Sequence, residues 1–284
     1  MHDNDKDWNL VIKPSESLFS LNLREVWNYK DLILLLVRRD FVSFYKQTIF
    51  GPIWFFIQPF FTTFIYVFVF GTLASLSTDG LPQPLFYLTN IVAWNYFSEC
   101  LNKTSTVFRD NANIFGKVYF PRLVMPLSIV ISNLTRFGVQ LALLLLAMLY
   151  YALVKGYAFD ITVYILLFPL MVLLMAALGL GSGMIISAMT TKYRDLSFLV
   201  TFGIQLLMYV TPVIYPLSAA PEKVKWVLSI NPMTPILEGI RLGLLGKGDI
   251  TIGSLIYAIT VVVVVLFTGI ITFNKVEKSF VDTV

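Results

Sequence analysis

Charge is what this sequence has least of. Asp, Glu, Lys and Arg make up 13% of its 284 residues, against 57% hydrophobic and 15% aromatic. A water-soluble domain carries about 25% charged residues, and half that fraction cannot cover the surface of a globule. An ordinary soluble enzyme is therefore excluded, and the remaining solvent is lipid. Cysteine is almost absent: Cys100 stands alone, so no intrachain disulfide can form. Histidine is as scarce, with only His2, and the sequence has no Cys/His cluster to hold zinc, haem or an iron–sulfur centre. A phosphate-cradling GxxxxGK loop followed by Ser or Thr is missing too. Gly243 with Gly246-Lys247-Gly248 comes nearest, with the wrong spacing and glycine where the hydroxyl belongs, so the chain is not expected to hydrolyse nucleotide. The first fifty residues lack the short apolar core and small-residue cleavage site of a secretory signal, and the N-terminus is expected to stay attached.

What is present is a series of uncharged runs, at 47–78, 80–98, 137–154, 161–191, 196–221 and 250–274. Each is long enough for the ~20 apolar residues that cross a ~30 Å hydrocarbon core. One such run could be a buried soluble helix, but six in succession predict an all-α polytopic membrane protein with six transmembrane helices. Placing the N-terminus inside puts 1–50, about 102–122, 191–195 and 274–284 in the cytoplasm. These hold seven, four, two and two Lys/Arg, fifteen of the 21. The external segments, about 77–84, 155–160 and 217–249, hold none, one and four, and Arg136 completes the set. The excess of cations inside fixes this orientation, with both termini cytoplasmic. The net charge of +4 then reads as a topology signal, and no nucleic-acid partner is expected.

Between the runs lie three segments of a different kind. After a polar leader at 1–22, residues 23–48 alternate Val26, Ile33, Val37 and Phe44 with Arg24, Lys30, Asp31, Arg38 and Asp40. This predicts an amphipathic helix in the cytoplasmic interface, the alternative being a soluble helix against a partner protein. The loop at 109–122 mixes Asp110, Asn111 and Asn113 with Ile114, Phe115, Val118 and Phe120. It predicts a short helix across the base of the bundle, ending near Gly116. The external stretch 215–249 is broken by Pro216, Pro221, Pro232 and Pro235. Its apolar pieces are too short to cross, and predict re-entrant helices over 217–245 that dip into the outer leaflet, where protein or water must satisfy the freed backbone.

Chemistry inside the runs is sparse. Apart from tyrosine, only Glu99 and Arg136, at the borders of two runs, are ionisable within the expected spans. That is too little for a hydrolase, a transferase or an ion-coupled carrier, which concentrate acid, base or relay groups. A charge at mid-membrane costs ~3 kcal/mol on insertion scales, so these two are expected to pair or share a polar cavity. The alternative is that Arg136 snorkels to the cytoplasmic interface. Two aromatic stripes recur at helical spacing: Trp54, Gln58 and Phe61 in the first span, Tyr87, Asn90, Trp94 and Phe97 in the second. Rings interleaved with amides suit a sugar chain in a channel, while an interfacial aromatic belt would give a similar composition. Gly179 and Gly183 form a small-residue face that permits close helix packing.

These residues resemble the ABC-2 type permeases that export polysaccharides. The likeness rests on Arg38-Arg39-Asp40, Tyr45-Lys46-Gln47, Gly51-Pro52, Trp54 and Gln58-Pro59. It continues through Asn111-Ala112-Asn113, Lys117-Val118-Tyr119-Phe120-Pro121-Arg122 and Tyr193-Arg194-Asp195. Pro212-Val213-Ile214-Tyr215 and Asn231-Pro232-Met233-Thr234-Pro235, with Glu238 and Arg241, complete it. The resemblance implies a homodimer of six-span subunits in a bacterial inner membrane, working with two copies of an ABC ATPase subunit that carries the ATP and magnesium. The chain itself would bind no cofactor or metal. The implied substrate is a lipid-linked polysaccharide, O antigen foremost. By position, 23–48 becomes the gate helix, with Arg38, Arg39 and Lys46 near the lipid headgroup. Residues 109–117 become the coupling helix, with Arg109, Asn111, Asn113 and Phe115 facing the ATPase and Tyr193, Arg194 and Asp195 as a second contact. Residues 217–245 become external gate helices, 49–275 the transmembrane domain and 276–284 a cytoplasmic tail. Spans 1 and 5 would wall a tunnel. An ABC-2 exporter of a lipid or drug is the alternative, with a membrane enzyme of polyprenyl-lipid metabolism behind it.

Overall fold

The computed structural model describes residues 23–46, 48–115, 120–160, 163–190, 192–193 and 195–281, and among them it contains helices and turns but no strand. The leader at 1–22, Gln47, residues 116–119 of the expected coupling helix and its flank, Arg194 and the last tail residues 282–284 lie outside the described residues.

The single helix expected over 23–48 is two, α1 (Leu23–Asn28) and α2 (Lys30–Tyr45), parted at Tyr29 by a non-helical φ of −96° and ψ of 21°. Its apolar side is used: Val26 and Leu36 are buried and α2 lies along α7 (Val124–Leu153). Trp27, Leu34 and Leu35 remain exposed on the other side. The turn Gly51–Ile53 leads into α3 (Trp54–Tyr66). Gly51 takes φ +55°, which costs glycine nothing for want of a Cβ, and Pro52 suits a first helical turn. Beyond Pro59 the helix widens into a π-helical stretch, Val67–Leu73, where Gln83 Nε2 donates to the Gly71 carbonyl at 3.2 Å.

Next come α4 (Gln83–Ser105), the single turns α5 (Val107–Asp110) and α6 (Ala112–Phe115), then α7, α8 (Leu167–Thr190) and α9 (Leu196–Val210). The segment after α9 holds α10 (Glu222–Ile230) and α11 (Met233–Leu245), closed by Gly246 at φ +72°, and α12 (Ile252–Val281) completes the chain. Four helical stretches among the described residues are long and apolar enough to cross a membrane: Gly51–Leu73, Val124–Leu153, Val163–Thr190 and Ile252–Val276. The other two expected spans differ for separate reasons. α4 has 23 residues but carries Asn90, Asn95, Glu99, Asn102 and Lys103. α9 is apolar but has 15 residues, or ~22 Å at 1.5 Å each.

α4 is the centre of the bundle, packed by α3, α7, α8, α9 and α11. Its contact with α8 depends on the small-residue face. A Cβ on Gly179 would stand 2.8 Å from Cys100 Cβ, and one on Gly183 would stand 2.5 Å from Thr104 Cβ. Gly183→Ala is therefore expected to lower unfolding stability in detergent by ~1–3 kcal/mol through overpacking. Gly138→Ala, where a Cβ meets nothing within 4 Å, serves as the control. Equal melting of the two variants would remove the close-packing argument.

Candidate functional site

The ionisable residues of the spans converge on the end of the bundle that carries the loop between α4 and α7. Glu99 on α4 lies six residues above the end of its helix, and Arg136 on α7 twelve above the start of its own, which is ~9 and ~18 Å of helix respectively. Arg136 Nη1 stands 3.8 Å from Glu99 Oε2, and Lys103 Nζ approaches the same oxygen at 3.7 Å. The Arg136 guanidinium also sits over the Phe55 ring of α3, 5.8 Å from its centroid. Arg136 is 11% exposed and Glu99 48%, so one carboxylate that reaches water stabilises two cations, one of them well buried. Lys103 was legible as an i,i+4 partner of Glu99, although the sequence reading placed it in a loop.

Two chambers meet at Arg136. The larger, about 310 Å³, lies beneath α2 and is lined by Arg39, Asp40, Ser43, Lys103, Asp110, Asn111, Ser128 and Arg136. It carries three cations against two carboxylates. Arg39 is held by Asp40 at 2.8 Å, while Arg38 and Lys46 lie on the exposed side of the same segment. The smaller chamber, about 130 Å³, lies between α3, α4 and α7. Its polar lining is Gln58, Asn95, Ser98, Glu99, Asn133, Arg136 and Gln140. Asn95, Asn133 and Gln140 escaped the sequence reading because single amides in long apolar runs look incidental. Removing charge from this cluster gives a direct test. Glu99→Gln and Arg136→Gln are each expected to cost ~1–2 kcal/mol, less than a fully buried pair because Glu99 meets solvent, and to reduce transport. Unchanged melting and unchanged transport in both would mean that Arg136 is an ordinary interfacial cation.

The loop between α4 and α7 does not form one helix over the described part, 109–115, of the expected 109–117. It breaks at Asn111, whose φ of −116° and ψ of 16° separate α5 from α6. Asn111 Nδ2 donates to the Val107 carbonyl at 3.0 Å, closing the first turn. Arg109 joins Asp110 at 2.9 Å and reaches Ser197 Oγ at the start of α9 at 3.0 Å. Phe115 stacks on Phe120 and packs on Phe108, each at 5.7 Å, and Phe108 stacks on Phe273 of α12 at 4.5 Å. Arg122 covers Phe115 at 5.5 Å. The loop is thus tied to α9 and to the inner end of α12. Asn113 is exposed, as are Tyr193 and Asp195 on the α8–α9 turn.

The two aromatic stripes separate. Trp54, Gln58 and Phe61 lie on the exposed side of α3. Tyr87, Asn90, Trp94 and Phe97 are instead buried in the core of the subunit. Trp94 and Phe97 lie 5.5 Å apart, and Asn90 Nδ2 donates to the Val213 carbonyl at 2.9 Å, pinning the loop after α9. For α4 the channel-lining expectation gives way to core packing, because that helix is surrounded by five others and presents this stripe to no open surface of the subunit.

In the segment after α9, α11 is almost wholly buried and is stapled by the pair Glu238–Arg241. Both side chains are 2% exposed. Glu238 also accepts from the Leu217 amide at 3.3 Å and the Asp249 amide at 3.0 Å, and Arg241 lies over Phe86 of α4 at 5.0 Å. One carboxylate therefore joins both ends of this segment.

The sequence matches a family model described as ABC-2 type transporter over residues 31–245. Among known proteins, the "O-antigen export system permease protein RfbA" of Myxococcus xanthus is 29% identical over 224 residues, covering 77% of this chain and 82% of that protein. A protein of the same description from Klebsiella pneumoniae is 26% identical over 253 residues, covering 89% and 94%. The "Polysialic acid transport protein KpsM" of Escherichia coli is 24% identical over 237 residues, covering 82% and 88%.

Proposed function

The chain belongs to the ABC-2 type transporter family, and on that premise we propose that it is the permease subunit of an exporter of a lipid-linked polysaccharide, O antigen foremost. The observation that carries this reading is the likeness to O-antigen export permeases along most of both chains. Energy comes from ATP and magnesium on a separate ABC ATPase subunit, two copies of which serve a homodimer of this chain. Each subunit crosses the bacterial inner membrane six times, with α4 shielded by its neighbours and α9 completed by the chain beyond Val210. Both termini are cytoplasmic, in keeping with the placement of the cations. The exposed faces of α3 and α9, which carry Trp54, Phe61, Phe198, Phe202 and Tyr209, suit the walls of a tunnel between two copies.

In this mechanism the lipid headgroup approaches past Arg38 and Lys46 to the cation-rich chamber under α2. ATP-driven closure of the partner moves α5 and α6, and their ties to Ser197 and Phe273 carry that motion to α9 and α12. Deleting the gene is expected to remove the surface polysaccharide, detected by immunoblot, while undecorated lipid-linked polymer accumulates inside the cell. A plasmid copy restores export. Unaltered surface polymer in the deletion strain would contradict the proposal.

A further inference from the structure

We infer that the smaller chamber, a half-open pocket bordered within one subunit by α3, α4 and α7, is a sugar-recognition subsite that engages one face of the carbohydrate residue joined directly to the lipid diphosphate. This rests on the reading of the substrate as a lipid-linked polysaccharide. Amides from three helices converge there: Gln58 on α3, Asn95 on α4, and Asn133 and Gln140 on α7. An amide offers both donors and acceptors, which matches a hydroxyl that does both, and Phe55 and Phe137 in the same wall give C–H faces a surface.

Other ligand classes fit less well. With Glu99 beside Arg136, the lining carries no net charge, so a free phosphate has no preference for it. A single carboxylate is too few for a hard cation, which takes six or more oxygens or keeps a full water shell. An apolar drug would leave the amides unpaired. The site is also left open toward a ligand. Asn133 is 3% exposed, and its Nδ2 finds no oxygen or nitrogen acceptor among the described residues, only the weakly accepting Cys100 thiol. A buried donor in that state is unfavourable, and a sugar hydroxyl relieves it. The volume, about 130 Å³, corresponds to about four waters at ~30 Å³ each, so the hydroxyls on one face of the ring enter and displace them while the rest of the sugar stays in the open mouth. Because Arg136 borders both chambers, a diphosphate under α2 places its attached sugar among the amides.

The test uses the full chain in nanodiscs and two probes: farnesyl diphosphate, and the same lipid bearing one N-acetylhexosamine on the diphosphate. The sugar is expected to tighten binding about tenfold. Asn133→Leu and Gln140→Leu should cut that gain to less than about twofold while leaving the bare diphosphate affinity unchanged, which also reports that the variants fold. Gln58→Leu, on the exposed side of α3, repeats the experiment without disturbing the core. No gain from the sugar, or a gain that survives all three substitutions, overturns the subsite and identifies the chamber as a water pocket that solvates Arg136. In that outcome diphosphate binding and surface export persist, so the exporter reading stands. Failure of the exporter reading shows instead as unaltered export in the deletion strain.

Discussion

On the proposed mechanism, Phe115→Ala is expected to lower ATP-driven export about tenfold or more, equivalent to ~1.4 kcal/mol in the rate-limiting step, while the chain still inserts into the membrane. The ring stands in a stacked series with Phe120 and Phe108 that ends on Phe273 of α12. Aromatic contacts of this kind contribute ~0.5–1.5 kcal/mol each beyond simple burial, enough to make loop and helix end move as one body. Phe115 is half-buried, so its loss leaves the fold standing but severs α6 from the Phe108–Phe273 stack that joins the loop to α12. The measurement is stimulation of the partner's ATP hydrolysis together with export in the same membranes. Phe273→Ala should give the same defect, and the double variant little more than either alone, since both break one contact path. Additive defects, or full ATPase stimulation in Phe115→Ala, would show that the series transmits nothing.

The largest effect on stability is expected at Arg241. Arg241→Met leaves Glu238 as a lone carboxylate, 2% exposed, and removing one member of a buried pair costs ~3–5 kcal/mol. The purified variant should melt far below the parent or fail to accumulate. Glu238→Gln combined with Arg241→Met should recover part of the loss, because the amide oxygen still accepts from one of the two backbone amides, Leu217 or Asp249, which approach different carboxylate oxygens, without a stranded charge. If the double variant melts no higher than the single one, the cost comes from packing against Phe86 and not from the pair.

How much of this was legible beforehand depended on which quantity carried it. Runs without charge located the apolar stretches, and the scarcity of cations outside the loops gave a consistent topology. The absence of charge over 80–98 could not tell α4 from a lipid-facing span, although Asn90, Asn95 and Asn102 already lower its hydropathy below that of the other long helices. Tyr87, Asn90, Trp94 and Phe97 looked like a channel face because helical spacing identifies a face but not its neighbour. Glu99 and Arg136 stood out because charge in apolar sequence is rare. Their shared surroundings, with Asp40, Lys103 and Asn133, arise from three helices distant in sequence, α2, α4 and α7. Glu238 and Arg241 were visible at i,i+3 spacing, yet their burial depends on α11 folding back into the bundle, which the prolines announced only as a break.

The most direct test of the central claim is translocation in proteoliposomes holding this chain and its ABC ATPase partner. Lipid-linked polysaccharide is supplied on the side bearing the ATPase, and its appearance on the other side is followed with a polymer-specific antibody. The account predicts transfer that requires ATP and magnesium, stops with a hydrolysis-deficient partner and falls with Phe115→Ala. Polymer that crosses without ATP, or fails to cross while a small lipid or drug is carried, would contradict it.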